Sequence, residues 1–402
     1  MAATLASHAP FAAQLVIIGR SAQHLSESQG YFAMPFPAIN ALRNSVPLVD
    51  HQLISSHADE IRATHRLYEH LIGIWSTGVI EAAQDLGVFE ALTTAPSTAA
   101  ELANLLDTDL RATRVLLDGL HAYDILARSR GEDGQVVYTL PAELHRVFSP
   151  DSLYSLAGKI SHDRAVAWNA WRNLADAVRT GARGENGAEQ LNQISESDYT
   201  SLVRGINFWA PPITAALADT LREFGWTDGA SSILLDVGCG TGIYSHLLLE
   251  EFPELRGRGL DAEQIIPIAT EQAARLGVTD RFEPVVCDFW NHDWGVGVDL
   301  ALFVNIFHLQ TPDSARELLL KSAKSLSEGG MVAIVDHILD EDAGAGSIQN
   351  RFFRLFAASM LATGGGDSFG VQDYDQWLAD AGLRRVRLID TPMHRVLLAR
   401  LA

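Results

Sequence analysis

Ser232-Ile233-Leu234-Leu235-Asp236-Val237-Gly238-Cys239-Gly240-Thr241-Gly242 is the stretch whose reading decides the fold. Apolar and β-branched residues lead into Asp236, glycines follow at alternate positions, and an apolar helical run extends from Tyr244 to Phe252. This order predicts a buried strand, a tight turn and a helix. Glycines in such a turn permit positive φ and let a ligand approach the backbone, while the helix start offers unpaired N–H groups. The dinucleotide fingerprint is G-x-G-x-x-G, and here the third glycine comes one residue early. Asp236, two positions before the first glycine, would repel a pyrophosphate and suits a cationic amino-acid ligand. The plain alternative is a Gly-rich turn without a ligand.

Outward from this turn the pattern alternates strand and helix, which predicts a parallel sheet covered on both faces. Strands read at Leu255–Asp261, Phe282–Cys287, Asp299–Phe307 and Met331–Val335, with a helix at Ser314–Leu326. Asp261 closes its strand where a carboxylate can accept hydrogen bonds from both ribose hydroxyls of a nucleoside. The Asp299–Phe307 run is almost continuously apolar and therefore central, and it ends at His308. The next strand ends at Asp336. Two last strands, Arg384–Ile389 and Arg395–Leu401, flank Asp390-Thr391-Pro392 and form a closing hairpin.

Asp236, Gly238, Gly240 and Gly242 resemble the D-x-G-x-G-x-G motif of class I S-adenosylmethionine-dependent methyltransferases. The resemblance implies S-adenosyl-L-methionine as cofactor, with Asp288 accepting from the adenine amine and Phe289 packing on the ring. In the class I strand order the strands ending at His308 and Asp336 are neighbours, so both residues project from one sheet edge. Asn305-Ile306-Phe307-His308 resembles the segment that carries the catalytic histidine of small-molecule O-methyltransferases, and Asp336 holds the place of its acidic partner. Gly364-Gly365-Gly366-Asp367 resembles the family's G-G-x-E segment, which makes Asp367 the second flanking acid. The chain departs from plant-like members at Leu309-Gln310, where they have Asp-Trp. Gly366-Asp367-Ser368-Phe369, with Tyr374 and Trp377 beyond, looks more like bacterial members acting on varied secondary metabolites.

The first 60 residues read as an extension, either an arm or a partly ordered tail, with short apolar runs broken by Pro35, Pro37 and Pro47. From Ile61 to Leu92 apolar residues recur at helical spacing, and Gly87 marks a break. Thr98 and Glu101 form a capping box, Asp109 opens a further helix, and strands Asp124–Arg128 and Val136–Leu140 make a hairpin across Gly131–Gly134. Helices followed by a hairpin over 61–150 give a winged-helix pattern. Gly73-Ile74-Trp75, Ala99-Ala100-Glu101-Leu102 and Leu116-Leu117-Asp118-Gly119-Leu120 within it resemble the dimerisation domain of small-molecule O-methyltransferases, which implies a homodimer. Residues 151–228 read as a helical linker rich in aromatics, with a loop at Gly181–Gly187. In the family this region lines the acceptor pocket, so Trp168, Phe208 and Trp209 are candidate acceptor contacts, with Phe356 and Met360. Residues 229–402 form the cofactor-binding domain.

The expected fold class is thus α/β, a Rossmann-like class I methyltransferase sheet behind an N-terminal, mainly helical winged-helix dimerisation domain. A net charge of −20 opposes nucleic-acid binding, and the winged helix mixes Arg111 and Arg114 with Asp109, Asp118 and Asp124. Cys239 and Cys287 alone suggest no disulfide framework, and no apolar run has the length of a membrane span, so a soluble cytoplasmic protein is expected. His292, His308 and His337 match no compact metal motif, and no metal is expected. The expected reaction is methylation of a phenolic, enolic or polyketide-like hydroxyl of a small metabolite, with His308 as general base. Carbon or nitrogen methylation, or a non-methylating hydroxylase or pericyclase, are the alternatives on this scaffold.

Overall fold

The computed structural model of the chain describes residues 57–149, 152–181, 196–227, 231–344 and 347–402. The extension read at the N-terminus lies outside the described residues up to position 56, as does the Gly181–Gly187 loop beyond Gly181. The described residues divide into two units, one holding those up to Ile80 with Val115–Leu126, the other Glu81–Arg114 with Ala127–Ala402.

The first unit carries helix Ala58–Leu71 and the start of helix Gly73–Asp85. Leu117 and Leu120 are buried there, whereas Leu67, Leu71, Ile74 and Trp75 are 52–64% exposed.

In the second unit, helices Val88–Thr94 and Ala99–Leu105 are separated by the short strand β1, Ser97–Thr98. The capping box is formed, with Glu101 N donating to Thr98 Oγ1 at 3.2 Å and Thr98 N to Glu101 Oε2 at 2.7 Å. Asp109 caps its helix by accepting from Ala112 N at 2.8 Å. The hairpin comprises β2, Ala127–Arg130, and β3, Val136–Thr139, in a three-stranded sheet of order β1-β3-β2. Its first strand starts later than the expected Asp124, because that residue has φ 58°, a left-handed conformation that cannot enter a ladder. The aromatic-rich region is helical as expected, including Trp168–Arg172, Leu174–Thr180 and Ala210–Glu223.

The large sheet has seven strands in the order β6-β5-β4-β7-β8-β10-β9. These are β4 Ser232–Val237, β5 Leu255–Asp261, β6 Phe282–Val286, β7 Val298–Val304, β8 Leu326–Asp336, β9 Leu383–Asp390 and β10 Arg395–Leu401. β4 through β8 pair in parallel, and β10 runs antiparallel to both β8 and β9. Alternate residues feed two cores: Leu234, Leu300, Leu302, Ala333 and Val335 on one face, Leu235, Ala301, Phe303, Val332 and Ile334 on the other. Burial on both faces explains why these strands read as continuous apolar runs. Each fully buried leucine contributes about 2 kcal/mol of transfer free energy.

β7 corrects one expectation. The apolar run continues to Phe307, yet the strand stops at Val304 because Asn305 has φ 56° and Phe307–Leu309 form a single 3₁₀ turn. Phe307 is fully buried all the same, so its hydrophobicity reports burial rather than extended backbone. β8 also starts earlier than the expected Met331.

Candidate active site

The turn after β4 is built from backbone. Gly238, Gly240 and Gly242 all have positive φ, at 70°, 58° and 71°. A Cβ on Gly238 would stand 2.6 Å from Ile306 Cδ1 and 3.8 Å from Phe289 Cε1, so a side chain there would have to push the tip of Ile306 aside and also hold a positive φ. The amides of Gly238 and Cys239 both donate to Leu260 O. Asp261 fastens the turn from the end of β5: its Oδ2 accepts from Gly240 N at 2.8 Å and its Oδ1 from Ala262 N at 2.7 Å. Burial pushes the Asp261 carboxyl up, and those two amides oppose the rise.

Asp236 lies beneath the turn, 1% exposed, and its Oδ1 has no hydrogen-bond partner among the described residues. Burial pushes its carboxyl up to about 7, with Ser245 acting against the shift and Asp261 adding to it. A buried carboxyl oxygen without a partner is costly unless a cation or donor arrives. Its chemistry therefore fits the ammonium end of an amino-acid ligand. Phe289 sits beside Gly238, while Asp288 is exposed and engages its own turn, accepting from Trp290 N at 3.0 Å and Asn291 Nδ2 at 2.6 Å. The structure thus gathers Asp236, the three glycines, Asp261 and Phe289 at one turn. These residues fit a nucleoside carrying a cationic amino acid.

A second cluster stands at the ends of β7 and β8. The turn after Asn305 brings His308 back over β8, where Asp336 accepts from His308 Nδ1 at 2.8 Å and from His308 N at 3.0 Å. The same carboxylate accepts from His337 N at 2.8 Å. Burial alone would raise the Asp336 carboxyl, but His308 and His337 overcome it and hold the group well below the usual carboxylate range. With Nδ1 committed as donor, the neutral His308 ring presents its lone pair at Nε2.

Asp367 meets this cluster through its backbone: its amide donates to His308 O at 2.8 Å, and its Oδ1 accepts from Ser368 N at 2.8 Å. Gly366 permits that approach, since a Cβ there would stand 2.5 Å from His308 O and 3.1 Å from Met360 Cβ. Phe356 stacks on His337 with centroids 3.6 Å apart and presents its edge to His308 at 5.0 Å. Trp209 meets His394 at 4.8 Å, and the 36%-exposed Phe208 tilts against it at 5.3 Å. A cavity of about 220 Å³ is lined by Ala357, Ala358, Leu361, Gly365, Gly366 and Asp367. Trp168 is engaged elsewhere, its Nε1 donating to Glu81 Oε2 at 2.6 Å.

Sequence reasoning names Asn305 only within the motif ending at His308 and His337 only among the histidines weighed for a metal, and it misses His394. His394 Nε2 donates to Asn305 Oδ1 at 2.8 Å, and its ring lies 4.4 Å from His337. Only the pairing of Arg395 with Asp336 across β10 and β8 brings it there. Among the described residues, His308, Asp336 and His337 also offer ligand-type atoms within 4.8 Å of one another. His292, weighed with the histidines from sequence, is not in that group.

Comparison with known proteins adds to this geometry. Residues 171–384 match the O-methyltransferase domain, more than half of the chain, and residues 68–143 match the O-methyltransferase dimerisation domain. The chain belongs to the O-methyltransferase family. As a member it is an S-adenosylmethionine-dependent methyltransferase, and S-adenosylmethionine is the cofactor the family uses. It is 27% identical to 3-hydroxy-5-methyl-1-naphthoate 3-O-methyltransferase of Streptomyces sahachiroi, over 79% of this chain and 88% of that one. It is also 27% identical to 3-amino-4-hydroxybenzoate 4-O-methyltransferase of Streptomyces cremeus, over 84% and 90% of the two chains. The fold matches human N-acetylserotonin methyltransferase with a TM-score of 0.73 at 20% identity, covering 84% of this chain and 97% of that one. Among the described residues no helix is long and apolar enough to cross a membrane.

Proposed function

We propose that this methyltransferase acts on a hydroxyl of a small aromatic or polyketide-like secondary metabolite, with His308 as general base. The observation that carries the reading is the two-point hold of Asp336 on His308, at ring and main chain. When bound, S-adenosylmethionine supplies an already activated methyl group. What remains for the protein is alignment of the acceptor and removal of its proton. Nε2 of His308 takes the hydroxyl proton, and Asp336, ionised and in contact with Nδ1, stabilises the imidazolium that results. Phe356 presents its edge to the base, and this apolar surface strengthens that ion pair by keeping water away.

Asp236, Gly238, Gly240, Gly242 and Asp261 would hold the cofactor, its ammonium facing Asp236, with Asp288 and Phe289 at the adenine. Asp367 would brace His308 from the other side through the amide it gives to His308 O. The relatives' hydroxynaphthoate and hydroxybenzoate names support an aromatic acceptor. The dimerisation-domain match and the exposed Leu67, Leu71, Ile74 and Trp75 support a homodimer, and a monomer in sedimentation velocity would refute it.

Incubating the protein with methyl-labelled cofactor and a panel of hydroxylated aromatic acids tests the reading. Label on an acceptor oxygen is expected. Label only on carbon or nitrogen, or none on any acceptor, would overturn it.

A further inference from the structure

Lys321 lies in helix Pro312–Ser325, which leads from the His308 turn to β8, yet its side chain serves the loop after β6. Its ammonium donates to Phe289 O at 2.8 Å, Trp290 O at 2.7 Å and His292 O at 2.9 Å, which engages all three of its N–H groups. It also stands 4.7 Å from the centre of the Trp294 ring, and Trp294 Nε1 gives Phe289 O a second hydrogen bond at 3.0 Å. The loop is tied at its start as well. Asp288 O accepts from His292 N at 2.9 Å, and the Asp288 carboxylate accepts from Trp290 N and Asn291 Nδ2. A carboxylate thus meets the amide end of this turn and an ammonium its carbonyl end, the placing of charge that suits a helical turn.

We infer that Lys321 is a positioning residue for adenine recognition: by gathering three carbonyls of the Phe289–His292 loop, it fixes where Asp288 and Phe289 stand. The inference rests on Asp288 and Phe289 being the residues at the adenine. β6 ends at Val286, and Cys287 N still reaches Asp261 O at 3.0 Å. From Asp288 onward the turn's own bonds, Lys321 and Trp294 hold the backbone. Without the ammonium, the Trp290 and His292 carbonyls turn to other donors, chiefly water, and the loop moves with them. That shifts the Asp288 carboxylate and the Phe289 ring relative to Gly238, which Phe289 faces. Burial lowers the proton affinity of Lys321, and the carboxylates of Glu317, Asp288 and Asp293 act against that, so the side chain stays an ammonium.

Two ligands and two variants separate this role from plain stability. The ligands are S-adenosylhomocysteine and its analogue with unsubstituted purine, in which hydrogen replaces the adenine amine. Both bind without turnover, and isothermal titration gives each Kd. Wild type should prefer the adenine form by about tenfold, the contribution of one hydrogen bond to a carboxylate. Lys321→Met keeps the apolar stem and removes the ammonium. Its preference should fall to within about twofold, while its Kd for S-adenosylhomocysteine rises about tenfold. Lys321→Gln is milder, with two donors on a shorter stem; it should show a reduced preference and serves if the first variant does not fold. A variant that weakens both ligands equally, or neither, would overturn the proposal, since a loss of stability alone does not tell the two purines apart. Equal binding of the two by wild type removes Asp288 from the adenine amine, and the proposal falls with that reading; retained discrimination in the variants overturns the proposal alone.

Discussion

Asp336 holds His308 by both its ring and its main chain, at 2.8 Å through Nδ1 and 3.0 Å through the backbone amide. One carboxylate thus sets ring orientation, tautomer and local charge together. The arrangement depends on a break in regular structure. Asn305 still pairs with β8, its amide on Val335 O at 3.0 Å, but its positive φ turns the chain so that the 3₁₀ turn lays His308 across the end of β8.

Replacing His308 by Gln keeps a donor of similar length and removes the base. General base catalysis contributes about 10²- to 10⁴-fold, so kcat/KM should fall by that range. Cofactor affinity in isothermal titration should stay within about twofold, because no residue of the turn after β4 is altered. Undiminished turnover would exclude His308 as the base.

Asp336→Asn tests the carboxylate. The variant leaves an amide where a negative charge stabilised the imidazolium, and kcat should drop by about 10³-fold or more. Stability should respond with a definite sign. The folded carboxyl titrates below its unfolded value, so its stabilisation is fully present above the unfolded value of about 3.9 and is lost as pH falls further. The difference in Tm between wild type and Asp336→Asn should therefore be full at neutral pH and shrink only in strong acid. A difference that grows on acidification would contradict the assignment.

The turn after β4 was legible because strand, glycines and helix are written in consecutive residues, and steric rules act locally on each. The Asp236 and Asp261 placements followed from strand ends, which alternating hydrophobicity marks well. His308 and Asp336 needed more: two distant segments become neighbours only if β7 and β8 pair, and the family resemblance supplied that order. His337 and His394 were not legible, since their meeting depends on the antiparallel register of β10 on β8. Strand β7 was read too long because Ile306 and Phe307 continue its apolar pattern while the backbone has already turned. Nor does sequence tell that Asp367 meets His308 by its amide.

Asp236 predicts a proton linked to cofactor binding. Its carboxyl titrates at about 7 in the ligand-free protein, above its ordinary value, because it is buried. An ammonium beside it favours the ionised form, so below that midpoint each binding event must expel the proton. Affinity for S-adenosylmethionine should fall about tenfold per pH unit below the midpoint. Isothermal titration in buffers of different ionisation enthalpy should register up to one proton released, and Asp236→Asn should abolish the release. Cofactor affinity that stays constant as pH is carried from well below to above about 7 would separate Asp236 from the ammonium.

Arg395 connects the sheet to the helix that walls the base. Its fully buried guanidinium donates to Ile338 O and Asn350 Oδ1, each at 2.7 Å, and to Asp390 Oδ1 at 2.7 Å. Ile338 follows β8, and Asn350 lies in helix Ile348–Thr363, which carries Phe356 and Met360. Arg395→Met fills much of the same volume but leaves two buried acceptors without that donor, each costing about 1–3 kcal/mol. The loss of stability should be on the order of 3 kcal/mol, measured by urea denaturation with an unchanged m-value. Loosening the helix also moves Phe356 away from His308 and His337. At temperatures where the variant is folded, its kcat should fall while cofactor affinity holds, since Arg395 lies outside the cofactor turn. A variant as stable and as active as the parent would show that β8 and the helix keep their relation without this side chain.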